Sequence, residues 1–244
     1  NRSILKTFYA GVKDQDKYIR FFFITGVSKF SQVSIFSDLN HLTDISISKH
    51  FADITGYSAT EIKKYYSDYL DILGKELEMP ETELMKEIAR WYDGYSWDGK
   101  TFIFNPYSII SLFYHQEFKN FWFETGTPTF LIKKMKEADK KINESINKDV
   151  KESVFNKYDV DNVNLTAIMF QTGYLTIKKY DGNKRKYLLE FPNKEVRESF
   201  LDFAVEHYAD SSPGEMEHIV DILIEALEHN DMKSFFTALQ SLFS

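Results

Sequence analysis

A fully apolar run near the beginning of the chain predicts a buried strand. Within the segment Tyr18–Val27, residues Phe21–Ile24 leave no polar face, as is typical of a central parallel strand covered on both sides. A glycine, Gly26, ends the run, and Ser28 and Lys29 follow it. Side chains at the carboxyl end of such a strand reach ligands, so we expect Ser28 and Lys29 at that edge.

Most of the remaining chain shows the three- and four-residue spacing of amphipathic helices. Helices are predicted at Ser3–Gly11, after a capping box at Ser58–Glu61, and from Ser212 near the carboxyl end. Alternating runs on both sides of Asp181-Gly182-Asn183 predict a β-hairpin with a helix before and after it. The expected fold is therefore mainly α with an α/β remnant.

Changes in this pattern predict four segments. We expect residues 1–50 to end a parallel α/β core, with a second strand near Thr43–Ile47, and residues 51–135 to form a helical lid. Residues 136–208 are expected to begin with a polar helix, Lys136–Tyr158, and to continue as helix, strand, strand and helix, which suits a winged-helix-like domain. Residues 209–244 are expected to form a helical connector.

The composition limits the kind of protein that the chain can be. The 244 residues are 43% hydrophobic and 16% aromatic, which is ample for a buried core. The absence of cysteine excludes disulfides and thiolate metal sites. No apolar run reaches the length of a membrane span, so the cytoplasm is the expected location. A formal net charge of −7 argues against a protein wholly dedicated to coating nucleic acid.

One local cluster of charge departs from this acidic balance. Five basic residues surround the predicted hairpin turn, namely Lys178, Lys179, Lys184, Arg185 and Lys186. On a wing, such side chains would contact nucleic-acid phosphates, while Tyr180 and Tyr187 offer aromatic faces. The alternative is a solvated hairpin whose lysines protect an edge strand from aggregation, because charged edge strands are common.

The segment Gly94–Thr101 matches the Walker A pattern G-x-x-x-x-G-K-T letter for letter. A phosphate-binding loop leaves a strand and opens a helix, whereas this segment follows a predicted helix and precedes a short strand, Phe102–Phe104. We therefore interpret it as a helix-to-strand turn, with Asp93 and Gly94 capping the helix. The sequence also lacks a nucleophile elbow and an H-E-x-x-H zinc motif.

Several long segments, in a fixed order, carry a resemblance to a known family. They are ITGVSKFSQVSIFSDLN from Ile24, WYDGY from Trp91, FNPYSI from Phe104, FWFETGTPTFLI from Phe121, and FQTGYLTI with LEFPNKEVRESF from Phe170 onward. The chain resembles the bacterial and archaeal AAA-ATPase-like proteins, P-loop ATPase modules usually fused to a C-terminal PD-(D/E)xK nuclease domain. The resemblance implies Walker A and B elements upstream of Tyr18 and a nuclease domain beyond Ser244.

The resemblance also implies roles for two candidate sites. In such ATPases the carboxyl edge of this strand senses the γ-phosphate, which points to Ser28 and Lys29; the alternative is that Ser28 caps the next helix. The segment Gly126-Thr127-Pro128 looks like the G-x-P motif that packs against adenine in the lid of STAND and archaeal-type ATPases. Its alternative is a plain helix start, with threonine as the cap and proline in the first turn.

The resemblance thus implies a C-terminal fragment of an AAA-like or STAND-like ATPase module. In the intact parent this module would bind ATP and Mg²⁺ and regulate a nuclease. The fragment itself is expected to hold no cofactor and to be inactive, because it has no phosphate loop and no magnesium-binding carboxylate. Its expected partners are the upstream Walker A/B half, the downstream nuclease domain and possible nucleic acid. No contact with a membrane is expected, and oligomerisation is possible. The alternative is a non-catalytic winged-helix module that binds nucleic acid or a protein partner.

Overall fold

The structure is a computed structural model in which the fold is mostly helical, with one small antiparallel sheet. It describes residues 2–26, 42–124, 131, 148–155, 164–208, 213–229 and 231–241. The chain divides into two compact units, Asn1–Arg197 and Glu198–Ser244. Within the described ranges, no helix combines the length and the apolar character needed to cross a membrane.

The first unit opens with the predicted helix, α1 (Arg2–Asp14), followed by a 3-10 turn at Asp16–Tyr18. The prediction of a buried strand at Tyr18–Val27 is wrong for the residues of this segment that the structure describes. Residues 19–26 pair with no described strand, and Phe21 and Phe23 are 80% and 52% exposed. The second strand, predicted near Thr43–Ile47, is replaced by irregular chain and turns. A parallel strand needs neighbours for its backbone hydrogen bonds, and no described residue supplies them here.

Residues 51–124, the described part of the segment 51–135 apart from residue 131, contain helices that share one core. The helices are α2 (Ala59–Tyr65), α3 (Ser67–Glu76), α4 (Glu81–Tyr92), α5 (Pro106–His115) and the short α6 (Phe121–Glu124). The predicted capping box starts α2: the Glu61 amide donates to the Ser58 hydroxyl at 3.2 Å, and the Ser58 amide donates to the Glu61 carboxylate at 2.8 Å. Ile62, Leu84 and Leu112 are fully buried in the core that these helices share.

The sheet lies in the first unit and has the strand order β1–β3–β2, with both pairs antiparallel; along the chain, one helix precedes its hairpin and another follows it. Its elements are β1 (Lys148–Val150), α7 (Leu165–Gln171), β2 (Thr176–Asp181), β3 (Lys186–Glu190) and α8 (Lys194–Tyr208). The predicted hairpin is confirmed. Two predicted caps are also confirmed: Gly173 follows α7 with a φ of +84°, and the Val196 amide donates to Asn193 Oδ1 at 3.0 Å.

Strand β1 differs from the polar helix predicted over Lys136–Tyr158. The described part of that range contains the strand and a 3-10 turn at Glu152–Val154. Val150 is 6% exposed and lies opposite Tyr187 of β3. The strand itself contains Asp149 and Val150, which favour a helix less than the lysines and glutamates around them, and it is formed by pairing with β3.

The second unit, Glu198–Ser244, contains the end of α8 and two further helices, α9 (Pro213–Glu228) and α10 (Met232–Ser241). Helix α9 begins at the predicted proline, and it packs on α10. The Lys233 and Ser234 amides both donate to Asp231 Oδ1 at 3.1 Å, which caps α10. Small side chains line the buried positions, with Ala226 and Ala238 only 4% and 6% exposed.

Candidate functional site

Two of the three sites predicted from the sequence lie outside the described residues. They are the pair Ser28 and Lys29, and the segment Gly126, Thr127 and Pro128. Both remain predictions. The third site, the basic hairpin, is described in full. Among the described residues, no group of three acidic or histidine side chains is placed to hold a metal ion.

The turn of the hairpin is closed by one carboxylate. The Asn183 and Lys184 amides donate to Asp181 Oδ1 at 2.9 and 3.1 Å. The hydrogen bond from the Lys184 amide is the largest influence that lowers the pKa of Asp181, and the charges of Lys184 and Lys179 act in the same direction. Asp181 is therefore ionised at neutral pH and holds the turn in one conformation.

The basic side chains of the hairpin point mainly to solvent. Lys178, Lys179, Lys184 and Arg185 are exposed, and Lys186 is half-buried. Lys184 Nζ lies 3.9 Å from Asp181 Oδ2, and Lys178 Nζ lies 5.6 Å from the centre of the Phe102 ring. Since neither arrangement buries an ammonium group, the cluster keeps its positive charge available to an anionic ligand.

The two tyrosines predicted to serve as aromatic faces lie beside each other on neighbouring strands. The ring centres of Tyr180 and Tyr187 are 4.6 Å apart. Tyr187 is half-buried, and its ring centre is 5.1 Å from that of Phe155. Tyr180 is 39% exposed. Tyr180 rather than Tyr187 therefore offers a ring face to a ligand.

The Walker-like segment Gly94–Thr101 connects α4 to Ile103, which pairs with Tyr95 in an isolated bridge. The turn that follows α4 is therefore confirmed, but the strand predicted at Phe102–Phe104 is replaced by isolated bridges at Ile103 and Phe104. The Lys100 and Thr101 amides donate to Asp98 Oδ1 at 2.9 and 2.8 Å. Partial burial tends to raise the pKa of Asp98, but these hydrogen bonds outweigh it and the pKa is lowered. An ionised carboxylate thus occupies amides that a phosphate loop would offer to its ligand.

The same segment covers the edge of strand β2. The Ser96 amide donates to Thr176 Oγ1 at 2.7 Å, and the Ile177 amide donates to the Ser96 carbonyl at 3.2 Å. A Cβ on Gly99, whose φ is +71°, would lie 3.0 Å from the Tyr180 nitrogen. Gly99, the second glycine of the Walker pattern, thus allows a close approach of backbones that protects an edge strand.

A buried carboxylate, Glu195, was not among the residues predicted from the sequence. It has no exposed surface, and it accepts hydrogen bonds from the Ser108 hydroxyl and from the Trp122 amide, both at 2.8 Å. Glu195 therefore joins the first turn of α8 to α5 and α6. Burial raises its pKa to about 7. A glutamate that follows an N-cap is typical of a solvated first turn, so the sequence held no signal for its burial.

Comparison with known proteins gives a partial match to one family. A family model described as "Predicted AAA-ATPase" matches residues 1–36. An "Uncharacterized protein in vnfD 5'region" from Azotobacter chroococcum mcd 1 is 34% identical over 245 residues, covering 100% of this chain and 44% of that protein. The chain therefore spans less than half the length of this relative. No solved structure matches. The beginning of the chain is thus similar to a predicted AAA-ATPase family.

Proposed function

We propose that the chain is the C-terminal part of an AAA-like ATPase module within a longer protein. The observation that carries this proposal is the match of residues 1–36 to the predicted AAA-ATPase family. The matched segment includes Ser28 and Lys29, the candidates for γ-phosphate contact. Because the match covers only 44% of the relative, a protein of that length has room for a Walker A/B half upstream and a PD-(D/E)xK nuclease domain downstream.

In this proposal, the intact protein binds ATP and Mg²⁺ through its upstream half. Ser28 orients water or contacts the γ-phosphate, Lys29 adds positive charge, and Gly126-Thr127-Pro128 packs against the adenine. ATP binding closes the helical lid and the winged-helix-like segment over the nucleotide, and hydrolysis releases them. The release controls the nuclease domain.

The test is a titration of the full-length protein with Mg-ATP. Lys29→Ala and Pro128→Ala should each weaken binding about tenfold, which corresponds to about 1.4 kcal/mol. Lys100→Ala is the matched control, because it removes the lysine of the Walker-like segment, whose amides already bind Asp98. We expect Lys100→Ala to leave the affinity unchanged. Loss of binding in Lys100→Ala, with Lys29→Ala and Pro128→Ala unaffected, would refute the proposal.

A second function, binding of nucleic acid by a winged-helix-like module, is supported by a separate observation. The order α7, β2, β3 and α8 is the helix, strand, strand and helix that suits a winged-helix-like domain, and β1 adds a third strand beside β3. The exposed basic residues lie on the hairpin that would form the wing. Phosphates contacted there would position the protein on the nucleic acid without reading its sequence.

A further inference from the structure

Helix α5 has an outward face that is both apolar and uncharged. Tyr107, Ile110 and Tyr114, at helical spacing on this face, are 48%, 51% and 81% exposed. The helix contains no aspartate, glutamate, lysine or arginine. Its neighbour α4 contrasts with it, since α4 carries the charged residues Glu81, Glu83, Lys86, Glu87 and Arg90.

The apolar face continues from α5 onto α3. The ring centre of Phe113 lies 5.7 Å from that of Tyr69 and 5.3 Å from that of Tyr66, so the two helices are packed together at this point. On α3, Tyr69 and Ile72 are 52% and 49% exposed. We call the exposed side chains of the two helices the α3–α5 face; they are Tyr69, Ile72, Tyr107, Ile110 and Tyr114.

We propose that the α3–α5 face is a docking surface for an apolar, uncharged surface elsewhere in the same, longer polypeptide. Exposed apolar patches rich in tyrosine mark interaction sites on proteins that are otherwise charged. This inference rests on the part of the proposed function that places the chain within a longer protein. The relative supports that part, because more than half of its length lies outside the match.

The size of the face favours a tethered partner over a free one. Helix α5 has 10 residues, and a helix of that length spans only about 15 Å. Stable complexes between separate proteins bury about 800 Å² and roughly 20–30 residues on each side. A small patch is sufficient when a covalent connection raises the effective concentration of its partner to the millimolar range. The same reasoning disfavours a second copy of the chain.

The charge around the face disfavours nucleic acid as the occupant. Helix α3 carries three acidic residues, Asp68, Asp71 and Glu76, against one basic residue, Lys75, and this negative balance would repel phosphates. No lysine or arginine lies on α5 to offset them. The occupant is therefore an uncharged protein surface that buries the tyrosine rings.

Thiol labelling tests this proposal, because the chain has no native cysteine. Ile110→Cys reports on the face, and Lys86→Cys, on the charged surface of α4, is the matched control. Each variant is labelled with a maleimide in the isolated chain and in the full-length protein, and the labelled peptide is followed by mass spectrometry. We expect both thiols to react fast in the isolated chain. In the full-length protein, only Ile110→Cys should slow, by about tenfold or more.

Three outcomes are decisive. Equally fast labelling of Ile110→Cys in both proteins would overturn the docking surface. Slowing in the isolated chain that increases with concentration would assign the face to a second copy, and would also overturn the proposal. Slowing in the full-length protein without any ATP binding would support the docking surface and refute the ATPase function. If Ile110→Cys does not fold, Tyr114→Cys replaces it, because that side chain is 81% exposed.

Discussion

Among single residues, Glu195 shows how strongly burial changes the pKa of a carboxyl group in this chain. Its carboxyl group lies in the first turn of α8, yet it is fully buried, and its oxygens face the Ser108 hydroxyl and the Trp122 amide. Desolvation is the largest effect on its pKa and exceeds the opposing effect of the hydrogen bonds. The group therefore holds its proton in the folded state at pH values where an exposed glutamate has lost it.

This difference predicts a pH dependence of stability. The pKa rises from the ordinary 4.5 to about 7 on folding. Between these values the folded state binds more protons than the unfolded state, so the free energy of unfolding falls as pH rises. The loss should reach about 3 kcal/mol once the pH exceeds the folded pKa. Urea titrations at several pH values measure it.

Glu195→Gln supplies the control for this prediction. The amide keeps an oxygen for the Trp122 amide, and its NH₂ group donates to the Ser108 hydroxyl, which also accepts. The variant should therefore fold and lose the part of the pH dependence that Glu195 causes. Half-buried Asp93, whose pKa is also raised by burial, contributes in both proteins and cancels in the comparison. Identical pH profiles would show that Glu195 does not hold a proton.

A backbone contact gives a second prediction for single residues. Gly94 has a φ of +108°, and an added Cβ would overlap the carbonyl oxygen of Pro192. Gly94→Ala should therefore reduce the free energy of unfolding by at least about 2 kcal/mol, as strained and crowded positions do. Gly182→Ala is the control, since the nearest atom to its Cβ would be 3.8 Å away. Chemical denaturation measures both, and equal midpoints would contradict the described contact.

At the level of elements, the sequence predicted those features that depend on neighbours along the chain. The capping box at Ser58, the C-terminal glycine of α7 and the Asp181 turn all form as predicted, because each is closed by hydrogen bonds over two to four residues. The predictions that failed depend on distant partners. Strand β1 exists through its pairing with β3, and the apolar segment Phe21–Ile24 has no described strand to pair with.

At the level of elements, the basic hairpin gives a prediction about DNA binding. Lys184→Gln with Arg185→Gln should weaken binding of a short fluorescent DNA duplex and reduce the slope of log affinity against log salt by about 2, since two phosphate contacts are lost. The matched control, Lys63→Gln with Lys64→Gln, removes the same charge from α2. We expect the control to keep the slope. Equal losses in both pairs would assign binding to net charge, and no salt-dependent binding at all would refute this function.

For the whole molecule, the candidate sites were less predictable than the fold. The hairpin that carries the basic residues was predicted, because its charges and its turn are adjacent in the sequence, and its role in binding stays a prediction. The role of Glu195 was not, because its partners lie 87 and 73 residues away along the chain. Ser28, Lys29 and Gly126-Thr127-Pro128 are tied to ATP only by the proposed function, so their placement must be tested in the full-length protein.

Photolabelling of the full-length protein with 8-azido-ATP tests the central claim most directly. The azide sits on the adenine, so it marks the peptide that contacts the base. We predict that the label is found on the peptide that contains Gly126-Thr127-Pro128, and that excess unlabelled ATP prevents the reaction. A label on Gly94–Thr101, or no competed label anywhere in this chain, would contradict the proposal that the chain completes an ATP-binding module.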